Sequence, residues 1–320
     1  MINISLIGGS GFVGSRFIRA FKDKGTYNLK NIDKVPSLDF NELTVIANVL
    51  DKNALKEKLA GTDLVIMLAA EHRDDVTPTS LYYDVNVTGM KNVLEVMNEL
   101  GIKRIVFTSS VAIYGMDKGN PTEEFEASPF NHYGISKWKA EQVLADWYKE
   151  HPDWNINIIR PTVIFGEGNR GNVYNLLKQI SSGRFMMIGK GTNEKSMSYV
   201  GNIVAFMNFL IEKNSEGYHI YNYSDTPDLS TNDLVFYTGK ILNKEIPKIH
   251  IPYWLGMFGG YGFDLLAFVT GKKLPISSIR VRKFCANTKY DSRKSKTAGF
   301  NPPYTLEEGL KNMLENEFSK

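Results

Sequence analysis

Apolar residues come in short continuous runs, separated by helix-length stretches of mixed polarity. NISLIG (3–8), LKNID (29–33), DLVIMLAA (63–70), RIVFTSS (104–110) and NINIIRP (155–161) are of strand length. A run such as DLVIMLAA, apolar without alternation, suits a strand buried on both faces. Between the runs, FVGSRFIRAFKDKG (12–25), TGMKNVLEVMNELG (88–101) and ISKWKAEQVLADWYKE (135–150) carry apolar residues at helical spacing. Strand and helix in regular succession predict an α/β fold, a Rossmann-type doubly wound parallel sheet with helices on both faces. Beyond about residue 165 the alternation becomes irregular. That half is expected to be a smaller C-terminal α/β substrate domain over the carboxyl ends of the strands, where such sheets bind ligands. The expected boundaries are 1–165, with return segments near 196–225, and 166–320.

Composition narrows the class. The chain has 320 residues, 42% of them apolar and 23% charged, which suits a packed soluble protein of one large domain or two unequal ones. A net charge of +3 is too small to suggest a nucleic-acid partner. The single cysteine, Cys285, cannot pair within the chain and suits a reducing, cytoplasmic setting. One Cys and five scattered His provide no metal-ligand spacing, so no metal is expected. The N-terminus runs directly into an apolar strand, without the basic and then apolar segments of a secretory signal.

Chemistry enters at LIGGSGFVGSRF. Gly8, Gly11 and Gly14 fall at a strand-to-helix turn, with Phe12 and Val13 between them. Glycine admits positive φ and lets backbone N–H groups approach a pyrophosphate at the helix N-terminus. Asp33 closes the second strand, where a carboxylate would hold the adenosine ribose and repel a 2′-phosphate. NAD is therefore expected over NADP, with Lys34 beside Asp33 the feature that argues otherwise. The plainer alternatives are a packing turn and a solvated aspartate.

NHYGISKWKAE sets Tyr133 and Lys137 four apart, on one helical face. An ammonium near a phenol favours the phenolate. Moving a tyrosine from about 10 to about 7 takes roughly 4 kcal/mol, which the lysine and a nicotinamide cation together could provide. The result is a general base for a hydroxyl proton. Upstream, Ser109 and Ser110 leave a buried strand in FTSSVAIYG, where a serine can hydrogen-bond the reacting oxygen.

Taken together, GGSGFVG, LAA (68–70), YYDVNVTGMKNVLE, TSSVAIYG and YGISK resemble the extended short-chain dehydrogenase/reductases, within their NAD-dependent sugar epimerase/dehydratase group. The likeness covers nearly the whole chain. It implies catalysis by Ser110, Tyr133 and Lys137. It implies a cofactor lined by Leu68, Ala69 and Ala70, a structural Asn86, an adenine contact at Asp51 and Arg160 near the cofactor. The implied reaction moves hydride from a sugar C4 to NAD and returns it to the other face. Where family dehydratases carry an acid pair, this chain has Val111 and Ala112, which leaves epimerisation or simple oxidoreduction. On the substrate side the resemblance points to Asn172, Arg280 and Arg282. In GKGTNEKSMSYVGNIV, Asn193, Lys195, Met197 and Asn202 replace the family's Gln, Arg, Phe and Asp. A lysine cannot grip a diphosphate bidentately, so an ordinary UDP-sugar site is in question. Lys195 is either a weaker diphosphate contact or a solvated loop lysine. The loop AAEHRDDVTPTS (69–80) offers Arg73 to a diphosphate, with Asp74 and Asp75 orienting it, or is simply a charged surface. The family also implies a homodimer through helices 88–101 and 135–150, and a C-terminal helix opened by a Thr305/Glu308 capping box.

One stretch fits none of this. IPYWLGMFGGYGFDLLAFVTGKK (251–273) is apolar on all sides, with Asp264 and the glycines Gly256, Gly259, Gly260 and Gly262 in its middle. Spanning a membrane would strand part of the catalytic unit on the wrong side. Deep burial, a dimer contact and peripheral docking on a membrane remain. Docking suits a lipid-anchored substrate. The stretches LAAEHRDDV, TSLYYDVNV, FNHYG and GNVYNLLKQI are similar to a bacterial branch of the family that 4-epimerises N-acetylglucosamine linked through diphosphate to a polyprenol. The competing readings are a UDP-hexose or UDP-N-acetylhexosamine 4-epimerase, an NAD(P)-dependent reductase or dehydrogenase, and a non-catalytic NAD-binding scaffold.

Overall fold

The computed structural model describes residues 1–73, 76–183, 185–272, 274 and 277–319, so Asp74 and Asp75 lie outside the described residues. Its strands are β1 (Ile2–Ile7), β2 (Tyr27–Asp33), β3 (Thr44–Ile46), β4 (Leu64–Met67), β5 (Arg104–Thr108), β6 (Asn155–Pro161), β7 (Val163–Phe165), β8 (Met187–Ile188), β9 (Glu194–Tyr199), β10 (Gly217–Tyr223), β11 (Asp225–Ser230) and β12 (His250–Ile251). The helices are α1 (Phe12–Phe21), α2 (Lys52–Leu59), α3 (Ser80–Tyr83), α4 (Gly89–Glu99), α5 (His132–Glu150), α6 (Asn172–Ser181), α7 (Val200–Lys213), α8 (Thr231–Leu242), α9 (Tyr253–Thr270), α10 (Ser278–Cys285), α11 (Arg293–Thr297) and α12 (Leu306–Phe318).

Seven strands form one parallel sheet in the order β10-β6-β5-β4-β1-β2-β3. The chain leaves β1 towards β2 and β3, then crosses back to β4 on the other side of β1. This reversal opens a crevice at the carboxyl ends of β1 and β4, the usual ligand position in such sheets. Neighbouring residues of a strand point to opposite faces. Leu6, Ile66 and Val106 accordingly pack with Phe17 and Phe206 on one face. Ile7, Val65, Met67 and Phe107 pack with Leu94 and Trp154 on the other. Burying each such aliphatic side chain is worth about 2 kcal/mol, which explains the unbroken apolar runs.

The smaller layer contains the sheet β11-β9-β7 and the pair β12-β8. Phe165, Leu177, Leu234, Leu310 and Met313 form its core with α6, α8 and α12. The Thr305 amide donates to Glu308 Oε2 (2.7 Å) and the Glu308 amide to Thr305 Oγ1 (3.2 Å), a reciprocal cap that starts α12. Within 196–225, α7 and β10 join the larger layer, while 196–199 lie in β9 of the smaller one.

The apolar segment becomes α9. Gly256 and Gly260, one turn apart, let it approach β8 and α10 closely. A Cβ at Gly256 would lie 2.6 Å from Ile188 Cγ2, and one at Gly260 2.8 Å from Ser278 Cα. Asp264, the lone charge, accepts the Ser278 amide at 3.2 Å and so caps α10. Deep burial within the chain is not found. Gly260 alone in α9 is buried, and Trp254, Phe258 and Phe268 are 70%, 74% and 87% exposed. Leu255, Leu266 and Val269, on the opposite side, are exposed as well. Among the described residues, no helix is long and apolar enough to cross a membrane.

Candidate active site

The loop between β1 and α1 is shaped as a cradle. Gly8 has φ of +88°, and a Cβ there would sit 2.4 Å from the Ala69 amide nitrogen. A Cβ on Gly14 would meet Gly9 Cα at 2.5 Å. Gly9, which the three-glycine spacing passed over, is equally constrained, because its Cβ would strike Asn31 Oδ1 at 2.4 Å. Gly11 precedes α1 and provides no side-chain cap, so the first-turn amides around Phe12 and Val13 have none from that position. Bare amides at a helix start favour an anion. Asp33 faces this loop: its carboxylate accepts the Ser10 amide (3.0 Å) and the Val35 amide (3.2 Å). Lys34 turns instead to Glu71 (2.9 Å), which offsets its charge beside Asp33. Leu68 and Ala69 both donate their amides to the Ile7 carbonyl at 2.8 Å, laying Leu68, Ala69 and Ala70 across the crevice floor. A cradle that only glycine can form, a bare helix start and a fixed carboxylate fit a dinucleotide.

Asn86 is buried and joins this floor to the catalytic helix. It exchanges hydrogen bonds with the Glu71 backbone (2.8 and 3.0 Å) and donates to Ser136 Oγ (2.8 Å), which donates to the Tyr133 carbonyl. Two expected cofactor residues also make contacts within the chain. Asp51 caps α2, accepting the Ala54 amide at 3.0 Å. Arg160 is 3% exposed and directs its guanidinium to Glu141, Tyr114 and the Glu123 carbonyl rather than to the crevice.

α5 begins at His132, three residues earlier than expected, because Asn131 Oδ1 accepts the Gly134 amide at 2.8 Å. Tyr133 and Lys137 therefore lie on successive turns. Tyr133 is half-buried, and its phenol hydrogen-bonds Ser110, whose Oγ accepts the Ala112 amide at 3.1 Å. Ser110, Tyr133 and Lys137 thus converge at the carboxyl end of β5. Their electrostatics differ from the expectation. Burial pushes the Tyr133 phenol up and outweighs the Ser110 hydrogen bond that pulls it down. Burial also pulls the Lys137 ammonium down to about 7, against the charge of Glu141. Lys137 Nζ donates to the Thr108 carbonyl at 2.8 Å. The chain by itself holds a phenol here, not a phenolate.

The expected substrate residues are dispersed. Asn172 opens α6 and is exposed, as is Arg73 beyond β4. Lys195 is held within the chain rather than solvated: its Nζ donates to the carbonyls of Lys283 (3.1 Å) and Ala286 (2.6 Å), capping the end of α10. Burial there pulls it down to about 8. Asn193 assists by donating to the Phe284 carbonyl at 2.8 Å. Arg280 and Arg282 are exposed on α10. Between them and Cys285, Lys283 places its ammonium 5.6 Å from the Phe130 ring centre, just before Tyr133. α10 thus connects the entrance of the catalytic helix to α9. Sequence reading missed Glu141, although its place one further turn along the Tyr133–Lys137 face was visible.

Comparisons with known proteins agree with this geometry. The sequence profile of the NAD dependent epimerase/dehydratase family matches residues 4–223. An Escherichia coli O157:H7 protein, N-acetyl-alpha-D-glucosaminyl-diphospho-ditrans,octacis-undecaprenol 4-epimerase, is 57% identical over 318 residues, covering 99% of this chain and 95% of its own length. UDP-glucose 4-epimerase of Vibrio cholerae is 28% identical over 320 residues, covering 97% and 93%. The structure of UDP-glucuronic acid 4-epimerase from Bacillus cereus in complex with NAD superposes with a TM-score of 0.78 over 100% of both chains at 20% identity, and so shares the fold.

Proposed function

The chain belongs to the NAD dependent epimerase/dehydratase family, and from that premise we propose that it inverts C4 of an N-acetylhexosamine carried on a polyprenyl diphosphate. It interconverts GlcNAc and GalNAc for cell-surface polysaccharide synthesis. The observation that carries this reading is the 57% identity over 99% of the chain to a relative named for an undecaprenyl-linked substrate. α9 lends support: an exposed apolar helix beside the entrance of the catalytic helix suits a substrate that stays in a bilayer.

The residues present fit NAD, which would be held by Gly8, Gly11, Phe12, Val13, Gly14, Asp33 and the Leu68–Ala70 floor. When bound, it supplies the acceptor that takes the C4 hydride and gives it back to the opposite ring face. The chain's own groups manage the proton. Tyr133 removes it from the 4-hydroxyl and later restores it, while Ser110 hydrogen-bonds the same oxygen. Burial holds the Tyr133 phenol up in the chain alone, so a bound oxidised cofactor would supply the positive charge that makes it a base, while Lys137 holds the Thr108 carbonyl at the strand end beside Ser110. Val111 and Ala112 follow Ser110 with no ionisable group, which leaves no acid to eliminate water.

We place the protein in the cytoplasm with α9 against the inner face of the membrane. Lys248 and His250 before α9, and Lys272 after it, suit anionic head groups. A homodimer would pair α4 and α5. Those helices are separate from α9, so that contact would leave α9 free for lipid.

The test is a donor comparison. Purified protein is offered GlcNAc-diphosphate-polyprenol and UDP-GlcNAc in parallel, and the released sugars are separated. Faster conversion of the lipid-linked sugar is expected. Equal or faster conversion of UDP-GlcNAc overturns the lipid preference and favours the UDP-sugar epimerase reading that the Vibrio cholerae relative suggests.

A further inference from the structure

Tyr133, Lys137 and Glu141 recur at every fourth residue along one face of α5, and the reaction as described uses only the first two. The Glu141 carboxylate is 2% exposed. It accepts Arg160 Nε at 3.0 and 3.1 Å and a second guanidinium nitrogen at 2.6 Å. It also accepts the hydroxyl of Ser109, the residue before Ser110. Arg160 reaches on to the Tyr114 hydroxyl (2.6 Å) and the Glu123 carbonyl (2.9 Å). Tyr114 donates to Asn222 Oδ1 (2.8 Å), whose amide nitrogen donates to the carbonyls of Pro121 (3.2 Å) and Asp291 (3.1 Å). A single buried ion pair therefore fastens the strand end that carries Ser110 to the segments that lead into the C-terminal part of the chain.

Burying an ion pair is expensive, and an apolar pair of the same volume usually stabilises a fold better. This one lies one turn from the reacting groups. We propose that Glu141 is a positioning residue for the reaction: its carboxylate fixes the Ser109–Ser110 strand end and provides the anion that faces the Lys137 ammonium, while Arg160 balances the charge.

The groups around the pair are known from each side. α5 contributes Tyr133 and Lys137. β5 contributes the Phe107 ring, 4.7 Å beneath the ammonium, and the Thr108 carbonyl. The segments after β5 contribute Tyr114 and Glu123, β6 contributes Arg160, and Tyr218 on β10 faces Glu141 and Arg160. Of these, Glu141 is the charge that opposes loss of the Lys137 proton. The inference rests on the Tyr133–Lys137 assignment and is independent of which donor carries the sugar.

The test uses the full chain with its cofactor and lysine labelled with ¹³C at Cε. In Glu141→Gln, NMR titration is expected to move the Lys137 midpoint lower by about one pH unit. The basic limb of the kcat–pH profile moves in the same direction. A uniform fall in kcat with the midpoint unmoved means a purely structural role and overturns the proposal. Should the orphaned Arg160 prevent folding, Glu141→Gln with Arg160→Met removes both charges. Because the Arg160 charge that offset Glu141 goes with it, a smaller shift in the same direction is expected, and an unmoved midpoint overturns the proposal. The NMR arm needs no substrate, so it remains readable if the donor assignment fails.

Discussion

Lys137 donates from Nζ to the Thr108 carbonyl over 2.8 Å, from a side chain only 3% exposed. The ammonium is held at the carboxyl end of β5 and drawn down to about 7 by burial. In the unfolded chain the same group keeps its proton to about 10.4. Between those values the unfolded state binds more protons, so this residue makes stability rise with pH from about 7 to about 10. At neutral pH it destabilises the fold, at a place where its role is chemical.

Lys137→Met is therefore expected to stabilise the protein at pH 7 while abolishing turnover. The substitution leaves the Thr108 carbonyl without its partner, which costs about 1 kcal/mol. Relief from the buried charge exceeds that, for a net gain on the order of 2 kcal/mol. Urea unfolding at pH 7 and pH 9.5 reads the effect. The gain should shrink at the higher pH, and a variant less stable than the parent at pH 7 contradicts the description of Lys137.

α9 makes a separate prediction. Phe258 and Phe268 are 74% and 87% exposed, so Phe258→Asp with Phe268→Asp changes folding stability by no more than about 1 kcal/mol in total. Burying either ring in lipid is worth about 2 kcal/mol. Co-sedimentation with vesicles containing anionic phospholipid should fall at least about tenfold, while detergent-dispersed substrate is still converted. Undiminished sedimentation of the double variant would remove α9 from the membrane.

Local order was the legible part of this sequence. The strands follow from continuous apolar runs, and Tyr133 and Lys137 from their spacing on one helical face, because these are set by residues close in sequence; the strand end offered both Ser109 and Ser110, and the family resemblance singled out Ser110. The capping box of α12 is equally local. What could not be read was the partner each charged residue chose. Arg160 goes to Glu141, Lys195 to the end of α10, and Asp51 to its own helix. The partners of Arg160 and Lys195 are fixed by packing between distant segments; the family resemblance pointed Asp51 and Arg160 to the cofactor and left Lys195 between a diphosphate and solvent. Asp264 shows the same limit in reverse: it looked like a defect in an apolar segment, and it is the cap that joins α9 to α10. The exposure of α9 was also unreadable, since an all-apolar helix gives no face that marks which side meets protein.

The central claim is transient oxidation at C4 with the same hydride returned, and isotope tracing tests it most directly. Polyprenyl-diphosphate-linked GlcNAc bearing deuterium on C4 is incubated with the protein, and the released GalNAc is examined by NMR and mass spectrometry. The account predicts inverted sugar with deuterium still on C4 and no accumulation of reduced cofactor. Deuterium lost to solvent, or reduced cofactor formed in step with an oxidised sugar, would contradict it.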